Sequence, residues 1–253
     1  MIANKQQISQ EEEYSFPYHY VTEFESDLFT QSFVDTWGIN YVSTIEYILE
    51  RLGNCNFSSV VDVGCGDGRL TREIAKRFPG KSILGVDYSA RAINLAVAMN
   101  MDIRDIMFMA CDITQPWAEG KRDVAVLMEV LEHIPLQQGD MFIAGVHNLL
   151  HPGGTLLLTV PHVNKPVEYK HFRHFSSTSL CDALQSHFDI AEVVPFERDF
   201  FTRRLVNALL CNRLFILNNR HILRVIYKYY KASLFLCDRE EQCQRLFVRA
   251  VAK

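Results

Sequence analysis

Short runs of β-branched residues alternate with segments of helical periodicity between residues 60 and 160. The β-branched runs predict strands at 60–63, 82–86, 106–110, 124–128 and 155–160. The intervening periodicity predicts helices at 69–78, 90–99 and 138–150. Strands alternating with helices at this spacing form βαβ units with right-handed crossovers. The pattern therefore predicts an open, doubly wound, mostly parallel α/β sheet covered by helices on both faces.

Different patterns flank this core. Apolar residues recur at helical spacing over about 33–52, after an aromatic cluster of Tyr14, Phe16, Tyr18, His19 and Tyr20. These two segments either fold over a site as a lid or pack on the sheet edge. Past Pro161 we expect a capped helix at 176–187, a strand at 190–196, helices within 199–236 and a last strand at 245–252.

We therefore divide the chain into four parts. They are an N-terminal segment with a helical lid (1–57), an α/β core (58–198), a basic C-terminal helical insertion (199–243) and the last strand of the core (244–253). The strands on either side of the insertion are expected to pair as an antiparallel edge.

A glycine-rich turn follows the first predicted strand of the core. The segment VVDVGCGDGR at 60–69 places Gly64, Gly66 and Gly68 between a strand and a helix. Glycine is favoured where a ligand approaches the backbone closely or where φ is positive, although a simple tight turn needs the same residues. The spacing is not the Gly-x-Gly-x-x-Gly of dinucleotide enzymes, and Asp62 would repel a pyrophosphate. An acid at this point suits a cationic ligand such as a sulfonium amino acid.

Acidic residues also end the next two strands. Asp87 lies nineteen positions after Gly68, where a nucleotide-binding βαβ unit places its ribose-binding carboxylate. Asp112 ends the third strand, where a carboxylate can accept a hydrogen bond from an adenine amino group. Either acid alone is compatible with helix capping. Acids at three successive strand ends together predict a site for a nucleoside.

These segments resemble the class I S-adenosylmethionine-dependent methyltransferase family. The matching strings are DVGCGDG at 62–68, GVDYS at 85–89, ACDI at 110–113, MEVLEHIP at 128–135 and HPGGTLLLTVP at 151–161. The resemblance covers about residues 58–195 and implies a Rossmann-like methyltransferase fold, with a seven-stranded sheet whose last strand is reversed. It implies S-adenosyl-L-methionine as the cofactor. The binding residues that it implies are Asp62, Gly64, Cys65, Gly66, Asp87, Tyr88, Asp112, Ile113, Met128 and Glu129.

Four histidines lie in segments that follow predicted strand ends. A hydroxyl acceptor of a methyl group benefits from a general base, and the candidates are His133, His162, His171 and His174. The sequence leaves open whether these imidazoles act as a base, as substrate ligands or as metal ligands.

The string EVLEH at 129–133 resembles the metal-binding motif of small-RNA 3′-end ribose methyltransferases. That resemblance implies Glu129, Glu132, His133 and either His171 or His174 as ligands of a divalent ion. The same string resembles those of quinone-biosynthesis and other small-molecule methyltransferases that need no metal. The residues around the later histidines follow the RNA family's second motif poorly, so no metal is predicted.

The insertion is basic within a chain of formal net charge −4. Segment 199–233 contains one acid, Asp199, and seven bases, which are Arg203, Arg204, Arg213, Arg220, Arg224, Lys228 and Lys231. Apolar and aromatic residues interleave with them. Such a segment suits an anionic substrate, a membrane surface or an RNA backbone, or it caps the domain with a solvated basic face.

Composition indicates the cellular setting. The seven cysteines include no close pair, so neither a zinc knuckle nor a disulfide framework is suggested. The polar, acidic start does not resemble a signal peptide, and no run of eighteen apolar residues occurs. We expect a cytoplasmic protein, and the overall charge gives no general signal for nucleic acid.

The sequence thus predicts methyl transfer to a small-molecule hydroxyl, on a sugar, glycoconjugate or secondary metabolite. Metal-assisted RNA 3′-end ribose methylation is the second hypothesis. A non-catalytic scaffold that binds the cofactor is the third.

Overall fold

The computed structural model describes residues 37–253 apart from 213, 216 and 218, together with the backbone of 23–25 and 28–30. The strands are β1 (Glu23–Glu25), β2 (Leu28–Thr30), β3 (Ser59–Val63), β4 (Ser82–Asp87), β5 (Ile106–Ala110), β6 (Arg122–Met128), β7 (Leu150–Pro161), β8 (Phe188–Arg198) and β9 (Cys243–Ala252). The α-helices are α1 (Trp37–Gly53), α2 (Arg69–Arg77), α3 (Ala90–Met99), α4 (Gly139–Asn148), α5 (Ser177–Leu184), α6 (Phe201–Leu210) and α7 (Arg220–Tyr229). Shorter turns are the 3₁₀ segments Leu131–His133, Leu136–Gln138 and Glu240–Gln242, and the π-helical Tyr230–Phe235.

Seven strands form one sheet in the order β5-β4-β3-β6-β7-β9-β8. The pairs from β5 to β7 are parallel, whereas β9 runs antiparallel to both β7 and β8. This confirms the doubly wound, mostly parallel sheet with a reversed last strand. The strand order reverses between β3 and β6, and a crevice at the carboxyl ends of the strands is expected at such a point.

The strands of the core are buried on both faces, as the continuous apolar runs predict. Alternate residues of β3 point to opposite faces: Val61 packs in one buried cluster with α4 and α5, and Val60 packs in the other with α1 and α2. Burial on both faces leaves the strand ends as the places where polar side chains reach solvent or a ligand.

Helix α1 and the insertion pack on the same face of the sheet. Ile48 and Leu52 of α1 share a buried cluster with Tyr230 and Phe235 of the insertion. The hydroxyl of Tyr230 donates a buried hydrogen bond of 2.9 Å to Asn40 Oδ1. The aromatic cluster at 14–20 lies outside the described residues. Among the described helices, none combines the length and the apolar character needed to cross a membrane.

The strand ends differ from the predicted ones in β7, which begins at Leu150 rather than at 155, and where β8 and β9 pair. Their register runs from Phe188 opposite Ala252 to Arg198 opposite Cys243, so β8 extends beyond the predicted 190–196. Pairing of backbone groups continues past the apolar run that marks a strand in a sequence. Helix α5 begins as predicted, because Ser176 Oγ accepts the N–H of Ser179 at 3.2 Å.

Candidate active site

The loop between β3 and α2 crosses the carboxyl ends of β3 and β4. Gly64 and Gly66 have positive φ angles of 72° and 54°. The N–H groups of Gly64 and Cys65 donate to the carbonyl of Val86, at 2.8 and 3.0 Å. A Cβ at Gly64 would lie 2.6 Å from Val130 Cγ2, so glycine is needed here for its conformation and for its close approach to the next loop.

Two carboxylates hold the loops that follow β4 and β5. Asp87 Oδ2 accepts the N–H of Gly66 at 3.0 Å, and its Oδ1 accepts the N–H of Ser89 at 2.8 Å. Asp112 Oδ1 accepts the N–H of Thr114 at 3.0 Å and its hydroxyl at 2.6 Å. Asp87 therefore connects the glycine loop to the end of the neighbouring strand.

Asp62 lies beneath the glycine loop and is almost fully buried, with 2% of its surface exposed. The hydroxyl of Thr71 donates to Asp62 Oδ2 at 2.6 Å. The pKa of Asp62 is raised to about 7, and burial is the largest cause. A cation bound above this carboxyl would favour its ionised form, which agrees with the expectation of a cationic ligand. Burial also raises the pKa of the Cys65 thiol, so Cys65 stays neutral.

Glu129 follows β6 and is held by a buried ionic network. It has a positive φ of 58°, and its N–H donates to the carbonyl of Thr159 at 3.1 Å. Arg245 Nε donates to Glu129 Oε2 at 2.7 Å. The guanidinium of Arg245 also contacts Glu197, which accepts a hydrogen bond from Arg203 of α6. The network connects Glu129 to the last strand and to the insertion.

His133 and His171 face each other in an edge-to-face arrangement, with ring centroids 4.8 Å apart. His133 Nδ1 lies 3.3 Å from the carbonyl oxygen of Lys170. His171 Nδ1 lies 2.8 Å from His174 Nε2, and His174 Nδ1 lies 2.9 Å from the carbonyl oxygen of Lys165. Burial lowers the pKa of His171 to about 3 and also lowers the pKa of His174, so both rings are neutral at physiological pH.

One cavity of about 420 Å³ joins these groups, within the range typical of small-molecule sites. Tyr41 of α1 also lines it. Its lining includes every residue predicted to bind the cofactor: Asp62, Gly64, Cys65, Gly66, Asp87, Tyr88, Asp112, Ile113, Met128 and Glu129. Beyond Glu129 the lining continues with Glu132, His133, Lys165, Glu168, Lys170 and His171.

Comparison with known proteins identifies the domain that builds this cavity. A family model described as a methyltransferase domain matches residues 60–154. Over these residues the chain is similar to the class I S-adenosylmethionine-dependent methyltransferases. An uncharacterised methyltransferase of Emericella nidulans is 34% identical over 121 residues, which cover 41% of each chain. The ubiquinone biosynthesis O-methyltransferase of Leptothrix cholodnii is 29% identical over 122 residues, covering 46% of this chain and 49% of that protein.

A solved structure extends the likeness in fold over nearly the whole chain. The N-methyltransferase NodS from Bradyrhizobium japonicum, in complex with S-adenosyl-L-homocysteine, aligns with a TM-score of 0.62 at 16% identity. The alignment covers 98% of this chain and 99% of NodS, and at this identity it shows the fold. The matched segments span less than half the length of the curated relatives.

The residues of this methyltransferase domain fit the cofactor that gives the family its name. Gly64 lines the cavity, and the side chain of Val130 leaves no room for a Cβ on it. Asp62 and Glu129 line the same cavity, and their carboxyl groups would suit the positive charges of a sulfonium and an α-ammonium group. Asp87 and Asp112, also in the lining, would offer acceptor oxygens to the hydroxyl and amino hydrogens of an adenosine. No described lining residue contradicts this match.

The structure separates the four histidines that sequence treats alike. His133 and His171 line the cavity, whereas His162 and His174 do not. His162 is buried, and its Nε2 lies 2.9 Å from Glu240 Oε1. This contact gives His162 a structural role outside the cavity. His174 contacts two residues of the lining, the ring of His171 and the carbonyl oxygen of Lys165.

Sequence reasoning missed the ionic network around Arg245. Arg245 lies inside the apolar strand β9 and is 3% exposed, and Glu197 near the end of β8 is equally buried. A base within a short apolar strand is the signal that was available, since such a charge needs a partner when it is buried.

Proposed function

We propose that this chain transfers a methyl group from S-adenosyl-L-methionine to a hydroxyl of a small molecule, such as a sugar, a glycoconjugate or a secondary metabolite. The observation that carries the proposal is that one cavity is lined both by the residues predicted to bind the cofactor and by the rings of His133 and His171. We call these two rings the imidazole wall. A small acceptor in that cavity would contact both.

The chain's part in this reaction is to hold two reactants in contact. When bound, S-adenosyl-L-methionine supplies an electrophilic methyl carbon on a positively charged sulfur. Asp87 and Asp112 would hold the nucleoside, and Glu129, fixed by Arg245, would lie at the charged end. Placing two reactants at near-attack distance accounts for a large share of such a rate enhancement, on the order of 7–11 kcal/mol at best.

The imidazole wall is where the acceptor hydroxyl would bind. A carbonyl can only accept, so His133 Nδ1 donates to Lys170 and Nε2 is the second ring nitrogen, which lies 4.0 Å from Glu132 Oε1. A hydroxyl that donates to an imidazole Nε2 gains nucleophilic character as its proton leaves. During methyl transfer the hydroxyl proton would leave to the imidazole or to solvent, and S-adenosyl-L-homocysteine would be the leaving group.

The relatives support a small acceptor and differ in the atom they methylate. The protein from Leptothrix cholodnii is described as an O-methyltransferase and NodS as an N-methyltransferase. We favour oxygen because a hydroxyl must lose its proton during transfer, and the wall offers nitrogen acceptors for that proton.

Transfer of isotope tests this function. The full chain is incubated with methyl-labelled S-adenosyl-L-methionine and with cell extract separated into small-molecule, RNA and protein fractions. We expect label in the small-molecule fraction, and we expect His133→Ala to reduce it about 100-fold or more, as for loss of acid–base catalysis. His151→Ala, which replaces an exposed histidine on β7, is the matched control and should retain full transfer.

The other outcomes discriminate between hypotheses. Label in the RNA fraction would replace the small-molecule proposal by RNA ribose methylation. Binding of S-adenosyl-L-homocysteine without transfer to any fraction would indicate the non-catalytic scaffold.

We further propose that the insertion binds an anionic lipid surface, from which an amphiphilic acceptor could enter the cavity. Exposed apolar side chains cluster on α6 and α7, where Phe201, Leu205 and Val225 each expose 63–67% of their surface. Exposed bases accompany them, namely Arg204, Arg220, Arg224 and Lys228. Two other bases of the segment are engaged elsewhere, because Arg203 pairs with Glu197 and Lys231 pairs with Glu46. Apolar side chains beside several bases match the two attractions of an interfacial helix.

Vesicle sedimentation tests the lipid contact. The full chain should sediment with vesicles of phosphatidylcholine and phosphatidylglycerol at low salt, and less so at high salt. Each base near such a surface contributes about 1 kcal/mol, so replacing Arg220, Arg224 and Lys228 by alanine should weaken binding roughly 100-fold. Replacing Arg69, Lys76 and Arg77 of α2 is the charge-matched control. Equal sedimentation of the two triple variants, or none for the unmodified chain, would rule out the contact.

A further inference from the structure

An ionic network of four side chains runs from the cavity to the insertion. Glu129 and Arg245 both line the cavity, and Arg245 Nε donates to Glu129 Oε2 at 2.7 Å. The guanidinium of Arg245 also contacts Glu197 near the end of β8, and Arg203 of α6 donates to that same carboxylate. Two carboxylates thus alternate with two guanidinium groups, and their charges balance.

The centre of the ionic network is buried. Arg245 and Glu197 each expose 3% of their surface, so water cannot readily replace a lost partner. A buried carboxylate that loses a donor carries the full cost of its desolvation unless another donor takes over. Without Arg203, Glu197 would draw the Arg245 guanidinium towards itself and away from Glu129. A change at Arg203 is therefore transmitted to the cavity.

Both carboxylate residues of the network have an unusual backbone conformation. Glu129 and Glu197 have φ angles of 58° and 61°, and no other non-glycine residue among those described has a positive φ. A side chain makes this conformation unfavourable, so it persists where the surrounding structure holds it, and such residues are frequent at functional sites. The backbone thus points to the same two residues as the charges do.

Glu129 also has an oxygen that its protein contacts do not use. Arg245 occupies Oε2, whereas Oε1 is buried and has no hydrogen-bond partner. Most buried polar atoms in proteins are paired, so this oxygen suits a donor that a ligand brings into the cavity. Of the two positive charges on S-adenosyl-L-methionine, only the α-ammonium group carries hydrogens that it can donate.

We propose that Arg203 of the insertion is a positioning residue for the cofactor site, acting through Glu197 and Arg245 on the carboxylate of Glu129. The inference rests on the proposed function, in which Glu129 lies at the charged end of the cofactor. Arg203 itself lies outside the lining of the cavity. The network controls how the amino-acid end of the cofactor is held, whereas the nucleoside end depends on carboxylates at other strand ends.

Two ligands separate positioning from a loss of folding. S-adenosyl-L-homocysteine carries the α-ammonium group, and 5′-methylthioadenosine has the same nucleoside and a thioether without the amino acid. In calorimetric titration of the full chain, Arg203→Met should weaken binding of the first about 10-fold and leave binding of the second unchanged. Arg198→Met is the matched control, because it removes a similarly buried guanidinium that pairs with the exposed Asp238 instead. It should leave both affinities unchanged.

A double substitution tests the route of the effect. If Arg203 acts through Glu129, Arg203→Met should cause no further loss of affinity in a Glu129→Gln background. An undiminished further loss there would overturn the proposal, as would equal losses for the two ligands, or no loss for either, in the single variant. If Arg203→Met fails to fold by circular dichroism, Glu197→Gln decides the result. It breaks the same link in the middle at nearly constant volume and should show the same selective loss.

The unmodified chain separates this proposal from the function it rests on. If it binds S-adenosyl-L-homocysteine and Arg203→Met behaves as Arg198→Met does, the positioning role is overturned and the methyl-transfer proposal stands. If the unmodified chain does not bind S-adenosyl-L-homocysteine, both proposals are overturned.

Discussion

The Asp87→Ala variant is expected to bind S-adenosyl-L-homocysteine at least about 100-fold more weakly than the unmodified chain. A hydrogen bond to a charged group contributes about 1.5–3 kcal/mol, and loss of two ribose bonds would remove about twice that, where 1.4 kcal/mol is tenfold in affinity. Asp87 also accepts the N–H groups of Gly66 and Ser89. Its loss therefore disturbs the glycine loop as well as the ribose site.

Calorimetric titration measures this affinity, and thermal unfolding of the same samples shows whether the fold survives. Asp87→Asn keeps one acceptor oxygen and should give an intermediate affinity. Asp105→Ala removes an exposed acid just before β5 and should bind as the unmodified chain does. Unchanged affinity in a folded Asp87→Ala protein would exclude the ribose role.

Local sequence patterns were sufficient to predict which residues of the strand ends share one cavity. A β-branched run, a glycine turn and an acid at a strand end are all read within a few residues of one another. Parallel strands bring such ends to one edge of the sheet. For this reason Asp62, Asp87 and Asp112 were expected to lie close together, and all three line the cavity.

The rest of the cavity lining depends on contacts between residues that are distant in sequence, and on the orientation of single side chains. Glu129 and Arg245 are 116 positions apart, and their pairing requires β9 to insert between β7 and β8. His162, His171 and His174 share one loop region, but the direction of each ring depends on which backbone carbonyl or side chain lies beside it. Neither the hydrophobic periodicity nor the residue types contain that information.

Like Arg245, Gly145 has a role that the sequence does not indicate: it allows close packing between a helix and a strand end. It lies inside α4, where glycine is ordinarily about 0.5–1 kcal/mol worse than alanine. A Cβ there would lie 2.4 Å from the carbonyl oxygen of Ile113 and 3.0 Å from its carbonyl carbon. Both atoms belong to the backbone, so neither can rotate away. The absence of a side chain lets α4 pack directly on the segment that follows Asp112.

We therefore expect Gly145→Ala to destabilise the chain, against the trend of helix propensity. Overpacking in a well-packed core costs about 1–3 kcal/mol, which exceeds the gain in helix propensity. In a domain of this size, each kcal/mol lowers Tm by roughly 2–4 °C. Because Ile113 must shift, nucleoside affinity should fall as well. Urea unfolding and nucleoside titration measure the two effects.

Gly38→Ala provides the matched control for this substitution. Gly38 is also helical, in the first turn of α1, and no described atom lies within 4 Å of the position its Cβ would take. It should leave stability unchanged or raise it by up to about 1 kcal/mol. A Gly145→Ala protein as stable as Gly38→Ala would mean that α4 can move away from the strand end. The adenine side of the cavity would then be adaptable in shape, and its selectivity for the nucleoside would have to come from Asp87 and Asp112 alone.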